Sequence, residues 1–437
     1  MNKIDQKEYK LRRQKLFKHM DENSLLILSG ATEKVRNNDV HYEFRQDSNF
    51  WYLTGLEEPD AIMIMLKKDS TKYILFLQQK KIEEEVWNGY KIGTEKAKKY
   101  FLADESFENN QLDKLSELIL SCEKIYYNLG SSKKIDEMIF EGIENLRKTK
   151  SRTGIPNPLI MDPTILIDSM RLIKSKNEIS MIKTAIDITS NGFTEAIKCT
   201  AYGKYEFEIQ EMLEKEFRLS GAKRNGYPSI VASGKNSCIL HYISNNEKLK
   251  KDSLLLIDAG SEWDYYSADV TRTWPVNGKF SSEEKDIYQI VLEANINAIE
   301  KCKIGNSIND PHKKALNTMI EGLRHLNILS ESVEEIIEKK LYIPFYMHST
   351  SHWLGLDVHD AGKYKDRDDN FTQFEEGMVL TIEPGLYFGD MAQNITEKYK
   401  NIGIRIEDDI LVTESGPKNM TKKIPKEIKD LETMIGT

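Results

Sequence analysis

Cysteine is scarce and scattered: only Cys122, Cys199, Cys238 and Cys302 occur in 437 residues, with no C-x-x-C pair among them. This argues against a disulfide framework or a thiolate zinc site and suits reduced thiols in the cytosol. No apolar run approaches the roughly 20 residues that a membrane-crossing helix needs. The opening stretch, MNKIDQKEYKLRRQK, is charged and lacks the apolar core of an export signal, so a cytoplasmic protein is expected. Basic charge is not concentrated either. There are 62 Lys and Arg against 70 Asp and Glu, a net charge of −8, and Lys248, Lys250 and Lys251 read as solvated loop charges. Neither a nucleic-acid nor a membrane partner is expected, since the former needs a clustered basic face.

The composition, 39% apolar and 30% charged, is that of a globular protein. The length exceeds what one compact core serves, so two domains are expected. In the first, short apolar strands (Ser24 to Gly30, Ala61 to Lys68, Tyr73 to Gln78) alternate with helical patterns such as Lys114 to Ser121. It reads as an α/β domain without a catalytic cluster. Gly154, Pro156, Pro158 and Pro163 then interrupt regular structure between Arg152 and Pro163. A long helix follows from Ser175, whose pairing with Glu178 reads as a capping box. The boundary is placed at about residue 172, giving domains 1–172 and 173–437. The second mixes long helices with strands that carry buried-looking acids.

Those strands carry the chemistry. SLLLIDAG is an apolar strand ending on Asp258. From Tyr265 a second strand alternates so that Tyr265, Ser267, Asp269, Thr271 and Thr273 share a face. A hairpin turning near Glu262 to Asp264 brings Asp258 and Asp269 together. Facing carboxylates repel unless one is protonated or a cation lies between them. In GIRIEDDILVTESG, Arg405, Glu407 and Asp409 form a charged row on an otherwise apolar strand, which needs compensation if buried. In GMVLTIEPGLY, Glu383 sits at the mouth of a strand that Pro384 ends. Four of the eight histidines lie at His241, His348, His352 and His359. Imidazole beside four carboxylates is a reasonable donor set for manganese, cobalt, zinc or iron, and mostly oxygen donors tilt the choice toward manganese. Two divalent ions roughly 3.5–4 Å apart can share a bridging water and present hydroxide near neutral pH, the equipment of a hydrolase.

At these residues the sequence resembles the pita-bread metallopeptidases, specifically the bacterial Xaa-Pro aminopeptidases (aminopeptidase P). The resemblance rests on LIDAG at Leu256, DVTRTWPVNGKF at Asp269, HWLGLDVHD at His352, TIEPGLY at Thr381, GIRIEDD at Gly403 and GKNSCILHY ending at Tyr242. FRQDSNFWYLTG at Phe44 extends it into the first domain. It implies an α/β N-terminal domain and an α+β pita-bread catalytic domain. It also implies two manganese ions: Asp258 holds one, His352 and Glu383 hold the other, and Asp269 and Glu407 bridge them. Glu383 would handle the proton of the bridging water, while His359 stabilises the tetrahedral intermediate or helps protonate the leaving nitrogen. His241 would line the site nearby, Arg405 orient Asp258, and His348 and Tyr387 line the substrate pocket. The substrates implied are peptides with proline second. Homodimers or homotetramers are implied as well, with the first domain, at positions such as Asp39 and Trp87, shaping another subunit's site. The rivals are prolidase, which takes only dipeptides, methionine aminopeptidase, which lacks the long first domain, and a pita-bread protein that only binds peptides.

Overall fold

The computed structural model describes residues 3–393 and 395–436. The chain divides into two compact units, Met1–Asp168 and Ser169–Thr437. In the first, a six-stranded sheet runs in the order Glu105–Glu108, Thr71–Leu77, Ile62–Lys67, Ser24–Ser29, Lys124–Tyr126, Leu159–Met161. The three inner strands pair antiparallel, while the outer pairings are parallel. The helices Asp113–Leu120 and Lys133–Thr153 bring Leu115, Ile119, Ile135 and Ile139 onto Leu25, Ile27, Ile64, Ile74 and Phe76. Leu26, Met63, Met65 and Leu75 on the alternate positions are buried too. A sheet covered on both faces needs apolar residues at every position, which is why these strands are continuous apolar runs.

The Gly/Pro-rich stretch differs in part from expectation. The Lys133–Thr153 helix ends at Gly154, whose φ of 69° supplies a left-handed cap. A short strand, Leu159–Met161, then forms between Pro158 and Pro163, because the parallel Lys124–Tyr126 edge offers it a ladder.

The second unit mixes long helices with short antiparallel sheets. The helix Lys176–Cys199 opens on the capping box of Ser175 and Glu178 and packs along Glu206–Leu219. Leu254–Asp258 is the middle strand between Ile230–Ser233 and Thr271–Pro275, and Val379–Ile382 pairs with Asp408–Thr413. The hairpin after Asp258 turns later than expected. Asp264 and Tyr265 both adopt positive φ, 48° and 74°, so Tyr265 belongs to the turn and not to the strand. Its register holds from Asp258–Thr271 to Trp263–Tyr266. At Gly260 a Cβ would lie 1.7 Å from the Ala268 carbonyl oxygen, so only glycine lets the strands approach there.

A buried ion cluster fixes the C-terminal segment. Arg272 donates to the carbonyls of Ile424 and Pro425, and the fully buried Asp408 accepts from Arg272 (2.8 Å), Lys426 (2.6 Å) and Thr421 (2.7 Å). Burial opposes its charge, but Arg272 and Lys426 hold the carboxyl well below the usual range. An unfolded chain takes up that proton near pH 3.9 and the folded one resists. The stabilisation is therefore present above that pH and lost as pH falls below it. Asp408→Asn leaves two buried cations short of a partner and should cost about 3–5 kcal/mol at neutral pH. Urea unfolding of the second unit measures this, and the gap between variant and parent should narrow below about pH 4.

Candidate metal centre

Each acid of the expected ligand set stands where a strand ends or breaks. Asp258 closes Leu254–Asp258. Asp269 lies between Tyr266–Ser267 and Thr271–Pro275, Glu383 between Val379–Ile382 and Gly385–Tyr387, and Glu407 between Gly403–Arg405 and Asp408–Thr413. The long alternating strands read from the sequence are therefore interrupted at the acids. An interruption releases a side chain from the strict up–down alternation of a strand, so acids from two pairs of strands can converge. Asn295, in the helix Ser282–Ile299, holds two of the breaks together. Its Nδ2 donates to the carbonyls of Ile382 (3.0 Å) and Ile406 (3.2 Å), the residues directly before Glu383 and Glu407. The amide of Glu407 donates to Thr271 O (3.1 Å), and that of Glu383 to Thr350 O (2.8 Å).

His352 joins the acids from the neighbouring loop. Its Nε2 is 3.3 Å from Asp269 Oδ2 and 3.6 Å from Glu383 Oε1, while Nδ1 lies 3.1 Å from Trp353 O. A hydrogen bond at Nδ1 to a carbonyl fixes the tautomer that leaves Nε2 free to bind a metal. One donor atom from each of Asp269, His352 and Glu407 lies within 4.8 Å of the others. Arg405 contacts Asp258 Oδ2 (2.6 Å), Thr271 Oγ1 (3.0 Å) and the Tyr387 hydroxyl (3.0 Å), and Thr271 donates in turn to Glu407 Oε2 (2.7 Å). Asp258 and Glu407 are thus linked through Arg405 and Thr271.

The electrostatics are lopsided. Asp258, Asp269, Glu383 and Glu407 crowd together with Arg405 as their one arginine or lysine partner among the described residues, and burial raises the pKa of three of them. Asp258 is raised by burial and Asp269 despite Arg405; Glu383 is pushed up to about 7; Glu407 is raised well above the usual range by burial, Asp269 and Glu383. The same excess acts on His352: burial disfavours its charge, but Asp269 and Glu383 raise it to about 9. One oxygen of the buried Asp409 has no hydrogen-bond partner, while the other accepts from the Asp269 amide (3.2 Å). A surplus of inward-facing carboxylates with one imidazole and an orphaned buried oxygen nearby is a donor set that fits divalent cations.

The cluster forms the floor of a cavity of about 880 Å³ in the second unit, walled by Pro228, Ile230, Leu240, Ile243 and Val358 and by His241, His348 and His359. His241 and His359 are exposed at its mouth, and the His359 ring is 4.4 Å from that of His352. Burial and the neighbouring Arg405 lower His348 to about 3, so it is a neutral imidazole bonded to the Tyr387 hydroxyl (2.9 Å). Tyr387 departs from expectation. It is buried behind His348 and Arg405, and its hydroxyl is engaged by both, so it supports the wall instead of lining the pocket. Three further participants escaped the sequence reading. The Tyr227 hydroxyl sits between Asp258 and Asp269, bonding to both. Nothing in GYPS signals it, nor does anything mark Asn295. Thr271 could have been found, since it shares the alternating face with Asp269.

Comparison with known proteins places this geometry. The model of metallopeptidase family M24 matches residues 180–414, and that of the aminopeptidase P N-terminal domain matches residues 9–126. The chain belongs to metallopeptidase family M24, among its aminopeptidases P. It is 41% identical to the Xaa-Pro aminopeptidase of Haemophilus influenzae, with 100% of this chain and 98% of that protein aligned. Its structure matches that of Pseudomonas aeruginosa aminopeptidase PepP with a TM-score of 0.95 at 37% identity, covering 100% of this chain and 99% of the other. Zinc-substituted Escherichia coli aminopeptidase P in complex with product matches at 0.94 and 36%, covering 99% of each. The enzyme is thus a metallo-aminopeptidase with an α/β first domain and a pita-bread second domain.

The Arg405–Thr271–Glu407 linkage makes a prediction for this aminopeptidase. Thr271→Val keeps the shape but removes both hydroxyl hydrogen bonds. Calorimetric titration with a divalent metal should show affinity roughly 10–100-fold weaker than in the parent.

Proposed function

We propose that the enzyme hydrolyses the bond before a penultimate proline, releasing the N-terminal residue of a peptide. What carries the reading is that the five expected ligand side chains and three further histidines line one cavity of a chain that aligns end to end with Xaa-Pro aminopeptidases. Asp258, Asp269, His352, Glu383 and Glu407 would hold two divalent ions, most naturally manganese given the oxygen-rich donors. Such ions, when bound, activate a water and polarise the scissile carbonyl.

The chain's own residues supply the rest. Arg405 fixes Asp258 and offsets the negative charge. Glu383, at the strand break on the cavity floor, takes the proton lost by the attacking water and returns it to the leaving nitrogen. A tertiary amide before proline carries no N–H, so that returned proton is what lets the C–N bond break. Burial and the neighbouring His352 lower the pKa of His359, so at neutral pH it is an uncharged imidazole. It donates a hydrogen bond to the developing oxyanion rather than a full proton. His241 also lines the cavity, as does His348.

The first domain, in this reading, serves assembly and substrate access in a homodimer or homotetramer. Trp87 is 87% exposed in the helix Ile82–Asn88, and Asp39 is exposed in the hairpin turn after Val35–Asn37, where a partner can reach them. A cytoplasmic location accords with four free cysteines and with the absence, among the described residues, of any helix long and apolar enough to cross a membrane.

Purified enzyme stripped with a chelator should lose Xaa-Pro cleavage and recover it on adding manganese. Asp269→Ala or Glu407→Ala should abolish turnover, since each removes a shared ligand; near-parental rates would refute the bridging roles. Release from Arg-Pro-Pro as well as Gly-Pro is expected, and cutting of dipeptides alone would make the enzyme a prolidase.

A further inference from the structure

Asp360 follows His359 in the chain, yet its side chain is 1% exposed and points away from the cavity into an ion cluster of its own. Its Oδ2 lies 2.9 Å from Lys174 Nζ, and its Oδ1 accepts from Arg171 Nη2 and from the Asp357 amide (3.3 Å). The same Arg171 nitrogen reaches Asp357 Oδ2 at 2.7 Å. Backbone bonds from Asp360 N to Trp353 O (2.9 Å) and from Gly355 N to Asp357 O (3.1 Å) close residues 353–360 into a loop. The packing is tight enough that a Cβ on Gly355 would stand 2.2 Å from Asp360 Oδ2.

The placement of the clamp is what gives it meaning. Val358 and His359 both line the cavity, and they are the two residues between Asp357 and Asp360, each of which Arg171 grips. Neither Arg171 nor Lys174 reaches the cavity. Two cations are buried on one acid of a loop whose only contribution to the cavity is those two side chains. A generic structural bridge could stand anywhere in the fold; this one brackets the imidazole.

We propose that Asp360, held by Arg171 and Lys174, is a positioning residue that fixes the His359 imidazole where the oxyanion develops. The inference rests on the role given to His359 above. Hydrogen bonds aimed at a transition state lose their effect when displaced by about 1 Å, and an exposed imidazole has few contacts of its own to hold it.

The test uses the full-length, metal-loaded enzyme and an Xaa-Pro tripeptide, with kcat and KM measured separately. His359→Ala should lower kcat on the order of 100-fold. Asp360→Asn should lower kcat roughly 10–100-fold with little change in KM, and calorimetric metal affinity should stay at the parental value. The double variant should be no slower than His359→Ala alone, because Asp360 acts only through that ring. Losses that multiply, a parental kcat in Asp360→Asn, or metal affinity falling in step with kcat would each overturn the inference. Should Asp360→Asn fail to fold, Arg171→Lys keeps the charge while shortening the double grip, and the same non-multiplying loss with His359→Ala is required of it. A parental kcat in His359→Ala would instead overturn the role of His359 and the inference with it, whereas loss there with none in Asp360→Asn overturns the inference alone.

Discussion

Four carboxylates forced together under cover, opposed by Arg405 and the His352 imidazole, are the constraint that organises the catalytic domain. Like charges at this range do not assemble unaided, and the structure shows what holds them. The strands break at Asp269, Glu383 and Glu407, Asn295 spans two of the breaks, Tyr227 sits between two acids, and Thr271 passes the Arg405 contact on to Glu407. Asn295 and Thr271 are polar and fully buried and Tyr227 is partly so, and such groups would be a liability in an ordinary core. They are tolerable because a divalent cation, when bound, would turn the repulsion into coordination.

A gradient of protonation runs outward from that centre. On the floor, burial and mutual repulsion drive the acids toward protonation when they are unliganded. One layer out, His348 is held neutral. At the mouth, His359 is also shifted toward the neutral form while remaining exposed. The layers suit a substrate whose amide nitrogen has no proton of its own, because neutral imidazoles around an acidic floor can donate hydrogen bonds without giving up a proton.

Much of this was legible in the sequence because its clues were local. An apolar strand ending on Asp258, a charged row at Arg405 and Glu407, and Pro384 behind Glu383 each announce an acid where a core residue belongs. The hairpin that joins Asp258 to Asp269 was legible too, although its turn falls at Asp264 and Tyr265, where positive φ is adopted without a glycine to advertise it. What escaped depends on distant partners. Tyr387 carries the hydrophobic and polar character of a pocket residue, and only its bonds to His348 and Arg405 place it behind the wall. Asn295 looks like any polar residue of a helix until the carbonyls of Ile382 and Ile406 appear beside it.

The domain also buries acids of a second kind, and the contrast separates structure from chemistry. Asp408 and Asp360 are as deeply covered as any metal ligand, yet both are held below the usual carboxylate range by paired cations, Arg272 with Lys426 and Lys174 with Arg171. Asp258 and Glu407 move the other way. An acid whose charge is already answered by two side chains has nothing left to offer a ligand and serves as an anchor. An acid whose charge is only partly answered, as Asp258 by Arg405 and Glu407 by the Thr271 hydroxyl, is left to take up a proton or a cation. The sequence places an anchoring acid directly beside a cavity residue twice, Asp408 after Glu407 and Asp360 after His359. In each pair one neighbour faces the cavity and the other fastens the backbone that presents it, so the anchoring ion pairs belong to the design of the active site as much as the ligands do.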